Sequence, residues 1–539
     1  MTRPSSTAPS DGATANADTA LENMGYKSEL PRSLSMMSIL GLSFAIMAVP
    51  FGLSTTMAIS LTDGQSVTVL YGWIFVSIIS LSIAASLAEI CAVYPTSGGV
   101  YYWSAMLSTK DYAPLVSWTA GWFTLVGNWT VTLSINFAGA QLILSAITIF
   151  DPDFVASQWQ TVLTFWAVMI VAFLVNVFWA KHLDLINKIC IYWTSASVII
   201  IVVTILVMAD DRRSAKFVFT HFDASASGWP AGWAWFVGLL QAACYGMVAS
   251  MCEEVQNPGR EVPKAMVLSV AAAGFTGIIY LIPILFVLPD VSLLLGVANG
   301  QPIGLIFKIA TGSAGGGFAL LFLILGILFF AGVGALTAAS RCTYAFARDG
   351  AIPGSTLWKR VDKRLDIPLW SLVLATLVDS ILGCIYFGST SAFNAFTGVA
   401  TICLSVSYGI PILVSLLRGR RAVRHSSFSL GRFGFFINAA TTVWIAFAIV
   451  LFCMPTAIPV TSVSMNYASV VFSGFAMISV VWYIISGRKN FTGPPLPSDI
   501  EPERDGQVVG DALGRITTEA YDTLHDSQDG MKSKLPENL

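Results

Sequence analysis

The stretch Gly232-Trp-Ala-Trp-Phe-Val-Gly-Leu-Leu-Gln-Ala-Ala-Cys-Tyr-Gly-Met-Val-Ala-Ser-Met-Cys252 turns abruptly into Glu253-Glu-Val-Gln-Asn-Pro-Gly-Arg-Glu-Val-Pro-Lys264. Its length and apolar character suit a membrane-crossing helix. Its centre does not. From Ala242 to Gly246 it is built of small residues around one tyrosine, where a spanning helix normally carries Leu, Ile and Val. In hydrocarbon, backbone freed from a helix is tolerated only where it faces protein or a cavity. The pattern predicts an interrupted helix whose break, at Ala243, Cys244, Tyr245 and Gly246, lines a binding site.

A partner lies five apolar runs upstream. The first run contains Ser43-Phe-Ala-Ile-Met-Ala-Val-Pro-Phe-Gly-Leu-Ser54, with Pro50 and Gly52 at membrane depth. Proline has no N–H to give the carbonyl four residues back, and Gly52 relaxes the backbone further. Paired interruptions at corresponding positions of two halves are the sequence signature of a transporter's binding site. The plain alternative is two kinks that merely suit packing.

Composition supports a membrane setting. Of 539 residues, 55% are hydrophobic and only 11% charged, with a mean hydropathy of +0.72. A soluble protein carries about a quarter charged residues, so the lipid bilayer is expected to be part of this chain's solvent. Basic and acidic residues nearly balance, 29 against 31, and no nucleic-acid partner is expected. The eight cysteines lie in or beside apolar runs without a CxxC pair, and the four histidines are scattered. Neither a metal site, a cofactor nor a catalytic constellation is expected.

Runs of roughly 20 apolar residues fall near 35–59, 68–92, 115–147, 159–179, 189–209, 232–252, 265–288, 316–340, 368–388, 392–416, 433–453 and 467–486. That predicts an all-α membrane protein of about twelve spans. With a cytoplasmic N-terminus, the inside connections and the flanks of the two ends hold roughly twenty Lys and Arg. The outside loops hold four: Arg212, Arg213, Lys216 and Lys308. The asymmetry predicts both termini in the cytoplasm. Residues 1–33 and 491–539 are polar and are expected to be disordered tails flanking a transporter domain over 34–490.

Three strings carry a resemblance. They are Ala84-Ala-Ser-Leu-Ala-Glu89-Ile-Cys-Ala-Val-Tyr-Pro95-Thr-Ser-Gly-Gly99-Val-Tyr-Tyr-Trp103, the Glu253–Lys264 turn continued to Met266, and Ser340-Arg-Cys-Thr-Tyr-Ala-Phe-Ala-Arg348-Asp-Gly-Ala-Ile-Pro353. In this order, at these span boundaries, they resemble the amino acid–polyamine–organocation superfamily, and most of all its fungal amino acid/choline transporter family. The resemblance covers about residues 35–490. It implies a leucine-transporter-like fold: spans 1–5 and 6–10 as inverted repeats (about 35–209 and 232–416), with spans 11 and 12 (about 433–486) peripheral. It also implies a plasma-membrane permease for a small amino-bearing solute, coupled to a proton or, alternatively, sodium. An amino acid such as 4-aminobutyrate leads as substrate, with choline or a polyamine as the alternative.

On that fold, spans one and six form the site and spans three and eight line it. Val49, Pro50, Phe51, Gly52, Leu53 and Ser54 would offer backbone donors to a carboxylate at a half-helix N-terminus. Tyr245 would close over the solute. Trp118, Trp122 and Trp129 fall on one stripe of span three; the stripe either holds a quaternary ammonium by cation–π attraction or serves packing. Asp379 lies mid-span, where an acid is a functional candidate by default, unless neighbouring hydroxyls satisfy it. Glu89 either braces the following loop or gates. Glu253 and Glu254 belong to an inner ion-pair gate or to a solvated turn, and Thr337 and Ser340 offer oxygens to a cation. No carboxylate sits at the span-six break to meet a substrate amine. A nutrient sensor would need a longer cytoplasmic extension, and a channel a continuous polar pore.

Overall fold

Inside a bilayer every backbone N–H and C=O must be paired within the protein, so apolar runs of this length close on themselves as helices. The computed structural model bears this out. It describes residue 24, residues 35–242, residue 255 and residues 257–297, 301–388, 390–424, 426–461 and 465–495. The two tails lie almost wholly outside the described residues.

The principal helices in chain order are α1 Met36–Met47, α2 Val49–Thr55, α3 Gln65–Cys91, α4 Gly99–Leu107, α5 Ala113–Phe150, α6 Gln158–Phe178, α7 Leu183–Met208 and α8 Ala231–Gly238. There follow α9 Pro258–Phe286, α10 Ile303–Thr311, α11 Ala314–Arg348, α12 Leu369–Gly383, α13 Thr390–Leu417, α14 Gly434–Leu451 and α15 Ala468–Trp482. Among the described residues eleven segments are long and apolar enough to cross a membrane. They match eleven of the twelve predicted spans. The sixth is described only as α8 and a tight turn over Leu239–Ala242, so its break and Glu253 and Glu254 lie outside the described residues.

One arrangement of helices occurs twice. Helices α5 and α11, 38 and 35 residues long, are the longest described. Each is preceded by a short helix that packs on it, α4 on α5 and α10 on α11, and the helices before those, α3 and α9, pack on one another. Close approach at the centre needs missing side chains: a Cβ at Gly121 would fall inside the Phe346 ring, and one at Gly139 inside Leu328. Such small-residue contacts are how membrane helices gain packing without a hydrophobic driving force. On the outer helices large apolar side chains such as Ile170, Val203, Phe275, Val443 and Ile484 point outward, as lipid contact requires. The ends of α3, α11 and α13 share a face rich in Lys and Arg, called here the basic face.

Candidate functional site

The first span breaks two residues before Pro50. Helix α1 ends at Met47, Ala48 takes the left-handed conformation (φ 41°, ψ 48°), and α2 begins at Val49 with Pro50 in its first turn. A proline there sacrifices nothing, because first-turn N–H groups have no intrahelical partner. It marks the restart of the helix, not its end. A left-handed alanine costs about 1–2 kcal/mol. The surroundings hold it in place. The Ala48 N–H donates to Phe44 O (3.0 Å) and Gly52 N–H to Ala48 O (2.8 Å). The Ser54 hydroxyl bonds Pro50 O (2.5 Å) and lies 2.7 Å from the Tyr280 hydroxyl, anchoring α2 to α9.

Around this break lies a cavity of about 130 Å³. An apolar cavity of ~150 Å³ admits a benzene ring, so this one has room for a small solute. The break supplies Ala48, Phe51, Gly52, Thr55 and Thr56; α3 supplies Ser80 and α5 supplies Ser134. Helix α13 adds Thr397, Thr401, Ser405 and Tyr408, while Trp444 and Phe452 come from α14 and its end. The wall therefore combines hydroxyls with aromatic faces. Among the described lining residues none carries a charge at neutral pH. Tyr408 also lines a smaller cavity toward the basic face, with Asn128 and Cys342.

Of the predicted binding residues, Phe51 and Gly52 line the cavity, while Val49, Pro50, Leu53 and Ser54 do not. Span three contributes, but α11 supplies no described lining residue; its place is taken by α13, which packs on another side of α5. The tryptophan stripe faces elsewhere. Trp129 donates from Nε1 to the Thr343 hydroxyl (3.1 Å), and Trp118 donates to Ser479 (3.1 Å). Trp118 and Trp122 join an aromatic cluster with Phe346, and Trp118 also meets Tyr483 and Phe491.

The gating candidates are scattered. Glu89 is fully buried and accepts from Arg420 Nη2 at 2.6 and 2.7 Å, from the Leu430 N–H at 2.9 Å and from the Ser429 hydroxyl at 3.3 Å. It both braces the loop after α13 and pairs with a charge. The Thr337 hydroxyl donates to Asn176 Oδ1 (2.6 Å), and Ser340 to the Thr337 carbonyl (2.7 Å). Both tie up the α6–α11 region away from the cavity. Asp379 is fully buried with neither oxygen hydrogen-bonded and does not line the cavity.

These geometric features meet an independent finding: residues 34–475 match the family described as amino acid permease. The chain belongs to that family. It is a membrane transporter. A polyamine transporter of Saccharomyces cerevisiae is 35% identical, over 96% of this chain and 87% of its own. An amino-acid permease of Arabidopsis thaliana is 33% identical, over 88% and 95%. A choline transporter of Saccharomyces cerevisiae is 31% identical, over 86% and 83%. All three are named as transporters or permeases, none as an enzyme.

Two features of the permease escaped the sequence reading. One had a signal: Thr397, Thr401 and Ser405 recur every fourth residue of α13, which places three hydroxyls on one face. The other is Asp63, in the short connection between spans one and two. It is fully buried and neither carboxylate oxygen has a hydrogen-bond partner, although its position at the end of an apolar run reads as a solvated turn.

Proposed function

We propose that the permease imports an amino acid or amino-acid-like solute such as 4-aminobutyrate by ion-coupled alternating access, with the cavity at Ala48 as its substrate site. The observation that carries this reading is the coincidence of the span-one break with a hydroxyl- and aromatic-lined cavity of solute size. Broken helices at the centre of a transporter are where substrates bind. Ala243 to Gly246 of span six are assigned to the opposite wall. The basic face is assigned to the cytoplasm, with both termini on that side and the plasma membrane as the location. A proton is the favoured co-transported ion, with sodium as the alternative, and Asp379, Glu253 and Glu254 stay among the acids proposed for coupling or gating.

Choline or a polyamine is the second reading. It is favoured by Phe51, Trp444 and Phe452 around the cavity, since aromatic faces attract ammonium groups. The relatives named for polyamine and choline transport point the same way. The deciding experiment is radiolabelled uptake in cells lacking their own permeases. It compares 4-aminobutyrate, neutral amino acids, choline and a polyamine, with and without a pH gradient. Saturable uptake of one class identifies the substrate; uptake of none overturns the import reading.

A further inference from the structure

Three connecting segments converge on the face opposite the basic one. Thr62-Asp63-Gly64-Gln65 joins span one to span two, residues 221–230 lead into α8, and residues 455–459 lie between α14 and α15. The Gln65 side chain donates to Asp223 (3.2 Å) and lies 3.1 Å from His221 Nε2, while the Val67 N–H donates to His221 O (3.2 Å). The Ile458 N–H donates to Ser227 O (2.8 Å) and Trp229 Nε1 to Pro455 O (3.0 Å). Together they form a lid. Thr55 and Thr56 on one side, and Phe452 on the other, carry the cavity wall up toward it.

Asp63, in the first of these segments, has no solvent exposure. Its own backbone is held by Ile59 and Thr68, a Cβ at Gly238 would press on it at 3.0 Å, and the Ser60 hydroxyl donates to Gly238 O (2.7 Å). The turn that buries it is strained: Gly64 has φ 125° and the non-glycine Gln65 has φ 53°. Strain of this kind persists only where the surroundings over-determine it. Yet the carboxyl receives no hydrogen bond in return. The Ser227 hydroxyl donates instead to Ala224 O (3.0 Å).

We propose that Asp63 is a proton-binding site that controls opening of this lid, and so access to the cavity from this face. The proposal rests on the alternating-access reading above. A carboxylate with at most one hydroxyl near it in a dry site is costly, whereas a carboxylic acid is tolerated. Burial pushes the Asp63 carboxyl up from 3.8 to about 7, with the Ser227 hydroxyl acting in the opposite direction. When the lid parts and water enters, the group returns toward its ordinary value. The closed form therefore holds the proton more tightly than the open one. Below about 3.8 both forms are protonated and closure is fully favoured. Between there and about 7 each pH unit favours opening up to tenfold, and above that the effect is complete. The charged and titratable side chains on the elements around the lid are Lys216, His221, Asp223 and Asp290. Of these, His221 and Asp223 are bonded to Gln65.

The test measures access, which does not depend on the solute. A Thr55→Cys protein in cells is labelled from outside with a membrane-impermeant thiol reagent between about pH 5 and about pH 8. Labelling of protein without this cysteine is subtracted, and the rate is divided by that of Ser225→Cys, an exposed control for thiolate reactivity. The normalised rate is expected to climb tenfold or more with pH, and to stay low and flat when Asp63→Asn is added. A profile unchanged by Asp63→Asn, or flat with Asp63 present, overturns the proposal. If Asp63→Asn does not reach the surface, Asp63→Ser carries the same test. Solute uptake with Asp63-independent labelling sinks the switch alone, whereas Asp63-dependent labelling without uptake of any solute sinks the import reading alone.

Discussion

Arg420 places one guanidinium nitrogen 2.6 and 2.7 Å from the two carboxylate oxygens of Glu89. The pair joins the end of α3, which packs on α9, to the turn after α13, which packs on α5. Arg420 lies in the left-handed region (φ 57°), and its Nη1 donates to Gly431 O (3.1 Å). It fits because Gly434 lacks a side chain: a Cβ there would collide with the guanidinium. The pair thus clamps two helix groups together at the basic face.

Breaking the clamp on one side should be expensive. Glu89→Ala leaves the buried Arg420 charge uncompensated, with an expected loss of about 3–5 kcal/mol. Gly434→Ala should act in the same direction by displacing the guanidinium. The double variant Glu89→Leu/Arg420→Met should recover most of the loss. Thermal unfolding of the purified proteins measures all three, and single variants as stable as the parent would show the pair to be dispensable.

Gly52 should separate space from folding. A Cβ there would meet only Met47 O, at 3.7 Å, and alanine is favoured over glycine in a helix by about 1 kcal/mol. Gly52→Ala is therefore expected to reach the surface and transport. Gly52→Leu should also reach the surface but fill the cavity and cut uptake by about tenfold or more. Normal uptake by Gly52→Leu at normal abundance would remove the substrate site from this cavity.

Two tryptophans should behave oppositely. Trp129→Phe loses the bond to Thr343 and about 1 kcal/mol of stability, with the half-saturation concentration for uptake unchanged. Trp444→Ala, in the cavity wall, should raise that concentration roughly tenfold for a cationic solute. Concentration-dependent uptake by both variants decides which aromatic group meets the substrate.

Asp379 has no hydrogen bond to lose. Replacing an unpartnered buried polar group by an apolar one is neutral or stabilising. Asp379→Leu is expected to unfold at the same temperature as the parent or higher, with unchanged substrate affinity. A marked fall in the unfolding temperature would reveal a partner that this conformation does not display.

The spans were legible because the bilayer enforces long apolar helices, and eleven of them fall where composition alone puts them. The break in span one was legible to within two residues. Pro50 marks the region, but proline is cheapest just after a break, and the unmarked Ala48 carries the left-handed turn. Which side of α5 faces the cavity was not legible. Trp118, Trp122 and Trp129 and the cavity stripe Val131, Ser134, Ile135 and Ala138 are both regular at helical spacing, and only the packing of α11 and α13 on α5 tells them apart. Asp63 was hidden for a related reason: it packs against Gly238, more than 150 positions away in sequence.

Tyr408 lines both the central cavity and the smaller one toward the basic face. Tyr408 is thus part of the wall between them. The Tyr408 ring is buried, so it turns only as its neighbours give way, whereas exposed side chains change rotamer in picoseconds to nanoseconds. On the proposed path, Tyr408 and the Glu89–Arg420 clamp lie toward the basic face, and three interlocked chain segments lie toward the other. Opening either end should accordingly take the microseconds to milliseconds of moving helices, not the time of a single ring flip.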